Sequence, residues 1–365
     1  MADVFYVASR KGLFTYRRDG GDWKTGAPAF LGEPVSAVLK DNRKENGRDG
    51  ALYAALNLGH FGAKLHRSDD DGATWKELTP PAFAKAAEGD ADAPSVEMIW
   101  TLESGGADEP GVIWAGVIPG ALFRSDNRGE SWTLVESLWN REERAGWFGG
   151  GYDKPGIHSI LVDPRDSKKL TLGISCGGVW KSDDRGASWR LTGAGLRSDY
   201  TPPEQSEELN TQDPHRLAMC ARAPDTIWCQ HHNGVFLSRD GGESFVEFTD
   251  IKPAVFGFAV AAHPDDPDTA WLVPGVKDER RVPVDGKLIV NRTKDGGKSF
   301  AMQSKGLPEE ASYDLVYRHA LDVDETGFRL AMGSTTGNLW VSEDGGDSWR
   351  QLSAYLPPIA QIAFA

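Results

Sequence analysis

The chain has 365 residues, with 40 Lys and Arg against 54 Asp and Glu, and its net charge of −14 excludes nucleic acid and anionic membrane as bulk partners because both repel such a surface. Its 42 Gly and 13 Trp exclude a mainly helical protein and suit short strands joined by tight turns. No stretch approaches the roughly 18 apolar residues of a membrane span, and three cysteines, Cys176, Cys220 and Cys229, form an odd, sparse set that fits a reducing cytoplasm.

In chain order, the first nine residues alternate into a strand and carry neither the basic nor the apolar region of an export signal. Residues 5–8 read as the second strand of a four-stranded unit, 12–16 as its third, and Trp23 opens the outer one, so this unit lacks an inner strand. Between its last two strands lies a worn copy, at residues 17–23, of a turn that then returns in full six times. The full turn is Ser/Thr, x, Asp, x, Gly, x, Ser/Thr, aromatic, at residues 68–75, 125–132 (with Asn127 for the Asp), 182–189, 238–245, 293–300 and 342–349. Its glycines, Gly72, Gly129, Gly186, Gly242, Gly297 and Gly346, stand 57, 57, 56, 55 and 49 residues apart, the period of a repeated supersecondary unit. Glycine tolerates the positive φ of a turn, Asp or Asn accepts nearby backbone N–H groups, and the aromatic anchors the following strand by burying roughly 150–250 Å².

Unit four is the clearest: strands at 157–162, 169–175, 178–182 and 188–191, with a turn at 163–168. Long connections between an outer strand and the next inner one fall at 79–95, 136–156 and 193–213, and a long loop joins second and third strands at 276–287. Trp139, Trp147, Phe148 and Tyr152 mark the second as ordered, while 79–95, with only Phe83, reads equally as a mobile flap or an ordered loop. Gly149, Gly150 and Gly151 lack the Lys-Ser/Thr and strand-to-helix context of a phosphate loop and read as a hinge. The chain ends in residues 359–364, which match the inner strand that the first unit lacks. Pairing the two ends closes seven four-stranded sheets into an all-β, seven-bladed β-propeller, one domain over residues 1–365.

The six turns resemble the Asp-box, or bacterial neuraminidase (BNR) repeat, of sialidases, sortilin-type receptors, some endoglucanases and photosystem assembly factors. The resemblance covers nearly the whole chain and implies the propeller, but no single activity, since these families do different things. The early Phe/Tyr-Arg-Ile-Pro motif, by which sialidases present an arginine to a sugar carboxylate, is absent; Arg10 in the turn Ser9-Arg10-Lys11-Gly12 is its nearest substitute. The catalytic residues of that family therefore do not carry over, and the chain is sialidase-like rather than a true sialidase.

With the inner strands aligned on their terminal turns, Gln361, Ser36, Glu97, His158, His215, Phe258 and His319 come to one level of the central channel. Imidazole and carboxylate together suit a transition metal, so His158, His215, His319 and Glu97 are the expected ligands of one zinc or iron ion, with Glu97 as a ligand or as base for a bound water. A lone histidine in a wet channel usually binds only water, and a slip of one residue in the alignment turns a side chain away. His231, His232, Trp147 and Tyr152 are the expected substrate-binding residues at the same mouth. Most charges of the long loops read as solvated; Asp213 and Arg318, beside His215 and His319, are the exceptions and join Glu97 as catalytic candidates. Two carboxylates across a sugar stacked on an aromatic would make a glycosidase. The expectation is a cytoplasmic, hydrolase-like enzyme acting on a small polar molecule or glycan, glycosidase-like or metal-dependent. The alternative is a non-catalytic binding or assembly module that presents the same face to a protein partner.

Overall fold

The repeated turn folds because its own side chains satisfy its backbone. In the computed structural model, which describes residues 1–43, 50–85 and 93–365, Ser182 Oγ accepts the Gly186 N–H at 2.7 Å and donates to Asp184 Oδ1 at 2.8 Å. The Asp184 carboxylate in turn accepts the N–H of Ser188 at 2.8 Å and its hydroxyl at 2.6 Å. The same pattern recurs at Ser68, Ser238, Thr293 and Ser342, and at Ser125 with Asn127 serving for the Asp. The six glycines have φ between +81° and +90°, where a side chain would strain the backbone. The worn copy closes differently: Gly20 and Gly21, both at positive φ, form a two-residue hairpin between Asp19 and Asp22.

Seven four-stranded antiparallel sheets form the ring. In blade four the strands Ile157–Val162, Leu170–Ile174, Gly178–Ser182 and Arg190–Thr192 lie side by side from channel to rim. Blade one alone breaks sequence order: Ile359–Phe364 is its inner strand, followed by Val4–Ser9, Gly12–Asp19 and Asp22–Thr25. Phe5 stands opposite Phe364 and Val7 opposite Ile362, so the two chain ends complete one sheet, as the sequence leads one to expect. The single α-helix among the described residues is one turn, Glu136–Trp139.

The core lies between neighbouring blades. Its largest sealed side chains, Trp114, Trp180, Trp228, Trp271 and Trp340, sit on second and third strands, and each contributes about 4–6 kcal/mol by area before the cost of ordering the chain. The turn aromatics are less uniform anchors than expected: Trp189, Phe245 and Trp349 are buried, whereas Trp75, Trp132 and Phe300 are half-buried. The connections at 136–156 and 193–213 interlock, for Trp147 Nε1 donates to Asn210 Oδ1 at 2.9 Å and Asn210 Nδ2 donates to the Glu143 carbonyl at 2.7 Å. Of the connection at 79–95, residues 86–92 lie outside the described residues; before them, Phe83 packs on Trp139 at 4.7 Å between ring centroids.

Candidate functional site

The inner strands carry a feature that hydrophobic alternation does not reveal. Val35–Asp41, Met98–Ser104, Ile157–Val162 and Pro214–Met219 each bulge against their neighbour, at Ser36, Trp100, His158 and His215 respectively, and the last strand bulges at Ala360. A bulge re-aims one side chain and shifts the register after it. The level assigned to Glu97 is therefore taken by Trp100, and that assigned to Gln361 by Ala360.

This dismantles the expected metal quartet of His158, His215, His319 and Glu97. His319 Nε2 lies 2.7 Å from the carbonyl oxygen of His158, which only accepts, so that nitrogen carries a proton and ties blade seven to blade four across the channel. His158 is sealed, its Nδ1 2.9 Å from Ser159 Oγ and its ring edge-on to Trp100 at 5.5 Å. Burial holds both imidazoles well below their usual pKa, hence neutral. Glu97 is exposed and paired with Lys154 Nζ at 2.5 Å. Among the described residues, the ligand-type side chains that converge are instead Asp213, His215 and His232.

Over the bulges lies a cavity of about 270 Å³. It is lined by Ser36, Met98, Trp100, Tyr317, His319 and Ala360 and by Gly151 and Tyr152 of the 136–156 connection, and Arg10, Arg281 and Arg318 supply its charge. Arg318 is 5% exposed, and its guanidinium carbon lies 5.0 Å from the Trp100 ring and 5.1 Å from the Phe258 ring. Its Nε and Nη2 are buried without a hydrogen-bond partner. Arg281 is held by Asp278 Oδ1 at 2.6 Å. Tyr152 is half-exposed and stands edge-on to Trp100 at 5.2 Å. No carboxylate lines this cavity among the described residues.

Beside it, Asp213 enters blade five fully enclosed. Its Oδ1 accepts the Ser175 hydroxyl and the Cys176 N–H, each at 3.1 Å, and its own N–H donates to His231 Nε2 at 3.1 Å. Burial raises the Asp213 pKa, but His215, His232 and Arg318 outweigh it and hold the carboxyl well below the ordinary range. Burial likewise depresses His215, brings His231 down to about 3 and pushes the Cys176 thiol up. Gly150 lies against this cluster: a Cβ there would come within 2.7 Å of Ser175 Oγ, 2.8 Å of Cys176 Sγ and 3.1 Å of Asp213 Oδ2. Close approach thus requires glycine in the stretch that reads as a hinge.

Of the expected substrate-binding residues, Tyr152 lines the cavity and His232, a quarter exposed, rims the Asp213 cluster beside Tyr200 at 5.0 Å between rings. His231 is sealed inside blade five, where its Nε2 takes the Asp213 N–H, and Trp147 is 7% exposed and anchors its loop against Trp180, so neither lines the cavity. Trp100, Tyr317 and Cys176 enter the site without standing out in sequence, as does Arg281, which reads there as one of the solvated loop charges. Their one signal is proximity: Tyr317 precedes Arg318, and Arg281 lies in the 276–287 insertion.

No protein-family model matches the chain. An alignment 146 residues long, covering 37% of the chain, shows 28% identity to a xyloglucanase of Hypocrea jecorina (strain QM6a), of which it spans 16%. Among solved structures, the chain is similar to an ancestral GH74 enzyme, with a TM-score of 0.60 and 14% identity over 88% of this chain and 38% of that one. It is also similar to YCF48 from Cyanidioschyzon merolae, with a TM-score of 0.57 and 15% identity over 94% of this chain and 96% of that one. A YCF48 bound to a D1 peptide gives a TM-score of 0.52 and 13% identity over 88% and 82%. At these identities the likeness is one of architecture, and the chain is a seven-bladed β-propeller with GH74 and YCF48 proteins as neighbours in fold.

Proposed function

We propose that the protein binds a small polar molecule through an anionic group, a carboxylate foremost, in the cavity at the channel mouth. The unpartnered guanidinium of Arg318 carries this reading. A buried cation with unfilled donors costs stability, and a guanidinium is shaped to take a carboxylate with two parallel hydrogen bonds. Arg10 and Arg281 add positive charge to the same cavity on a chain whose net charge is −14. Trp100 and Tyr152 offer apolar faces for the body of the ligand, such as the ring of an acidic sugar. On this reading the propeller is of the Asp-box, sialidase-like class, a single domain over residues 1–365, and works in the cytoplasm, where three free, buried cysteines are at home.

The second reading, a hydrolase-like enzyme acting on a glycan, is favoured by the stretch similar to a xyloglucanase. It comes second because Glu97 and Asp213, its carboxylates, lie outside the cavity lining. Thermal melts in the presence of uronic acids, sialic acid and the corresponding neutral sugars test the choice. Acidic sugars should raise the melting temperature, less so at high salt, and neutral ones should not. Release of reducing ends from xyloglucan would bring the hydrolase forward, and no shift with any acid would overturn the binding reading.

A further inference from the structure

His215 Nδ1 lies 2.7 Å from the carbonyl oxygen of Gly257. A carbonyl can only accept, so Nδ1 carries a proton, and the ring in its neutral form presents a lone pair at Nε2. That lone pair faces Asp213 Oδ2 at 3.3 Å, acceptor against acceptor, between side chains only 2% and 3% exposed. The same oxygen lies 3.4 Å from His232 Nδ1. Something positive belongs between these atoms, a second ring proton or a metal ion, since the permanent cation nearby, Arg318, makes no hydrogen bond to them.

We propose that Asp213 Oδ2, His215 Nε2 and His232 Nδ1 hold one divalent transition-metal ion, of which zinc is the representative. Around a tetrahedral ion with bonds of about 2.0–2.1 Å, neighbouring ligand atoms are about 3.3–3.4 Å apart. The two contacts of Asp213 Oδ2 have these lengths, and all three ligand atoms lie within 4.8 Å of one another. Two imidazoles and one carboxylate favour zinc or iron over calcium and magnesium, which prefer all-oxygen sites. The surroundings are those of a ligand set already oriented: Gly257 fixes the His215 tautomer, while Ser175 and Cys176 occupy Asp213 Oδ1 and turn Oδ2 toward the imidazoles. Three protein ligands leave a position open, and His232, 25% exposed, provides the way in.

The test uses the full chain, stripped with a chelator and titrated with Zn²⁺ by calorimetry and with Co²⁺ by visible absorption. One ion per chain is expected, with the Co²⁺ bands of a four-coordinate nitrogen and oxygen site. His232→Ala, at a partly exposed position that the fold tolerates, should weaken binding about 10-fold or more, as should Asp213→Asn. His158→Ala should bind as the native protein does. Failure of the native chain to take up either ion, or equal loss in His158→Ala and His232→Ala, would overturn the proposal. Because only the metal is titrated, the result stands apart from whether an acidic molecule binds at Arg318.

Discussion

The side-chain amide of Gln361 grips both main-chain groups of Val38: Oε1 accepts the N–H at 2.9 Å, and Nε2 donates to the carbonyl at 2.9 Å. One residue of the last strand thus closes blade one and stitches it to blade two. Removing residues 359–365 should expose an edge of blade one and destabilise the whole ring, and Gln361→Ala should cost about 1–3 kcal/mol because Val38 loses two partners on its channel side. Urea melts check both, and a truncated chain that unfolds with the intact one would sink the closure argument.

The repeated turns predict a second loss. Ser182 Oγ is the acceptor for the Gly186 N–H at 2.7 Å and the Asp184 N–H at 3.3 Å in a buried turn. Ser182→Ala should therefore cost about 1–3 kcal/mol, and Ser238→Ala, with its matching bond to Gly242 at 2.8 Å, should behave alike. Thr74→Ala, on the exposed side of such a turn, should cost under about 1 kcal/mol. Equal effects at Ser182 and Thr74 would show that the turn does not hold its blade this way.

The fold was legible because its determinants are local and repeated. A turn that satisfies its own backbone leaves the same residues in sequence wherever it occurs, and the inner strand of blade four spans 157–162 as its pattern says. The site was only partly legible because it depends on bulges, which shift register without changing composition. Glu97 and Trp100 are three residues apart, and only the bulge decides which of them faces the channel. Likewise, nothing in residues 230–233 tells that His231 is sealed while His232 reaches Asp213, since the distinction depends on contacts with the distant 193–213 connection, where Asn233 Nδ2 donates to the Arg197 carbonyl and the His232 N–H to that of Asp213.

At the opposite mouth a larger cavity, about 430 Å³, is lined by Glu103, Arg216 and Asp322. Burial pushes the Asp322 carboxyl up to about 6, opposed by its bond from the Phe364 N–H and by Arg216, and Glu103 is raised by burial as well. A raised carboxyl ionises first in the unfolded chain, so stability should fall as pH rises from about 4 to 6 and stay lower above that. Two units correspond to about 3 kcal/mol, and the half-buried position on a water-reachable cavity reduces the expected effect to about 1–2 kcal/mol. Asp322→Asn should flatten this part of the profile and raise stability at pH 7. An unchanged profile in the variant would place the titration elsewhere.

Arg318 provides the sharpest contrast between stability and function. Its guanidinium, 5% exposed with Nε and Nη2 unpartnered, rests between Trp100 and Phe258. Methionine has a similar length, packs against aromatic rings and needs no partners. Arg318 also favours the ionised Asp213 carboxyl, and removing one charge of a buried pair is costly whereas removing both is often neutral or stabilising by about 1–4 kcal/mol, so Arg318→Met made together with Asp213→Asn should melt no lower than the native protein without ligand. An acidic ligand at 100 times its Kd should stabilise the native protein by about 2.7 kcal/mol and leave the variant nearly unmoved. Arg318→Lys should fall between them, since it keeps the charge but loses the planar pair of donors. Native affinity in Arg318→Met would remove the anchor from the proposed site, and a sharply lower melting temperature of the double variant without ligand would make Arg318 a structural residue instead.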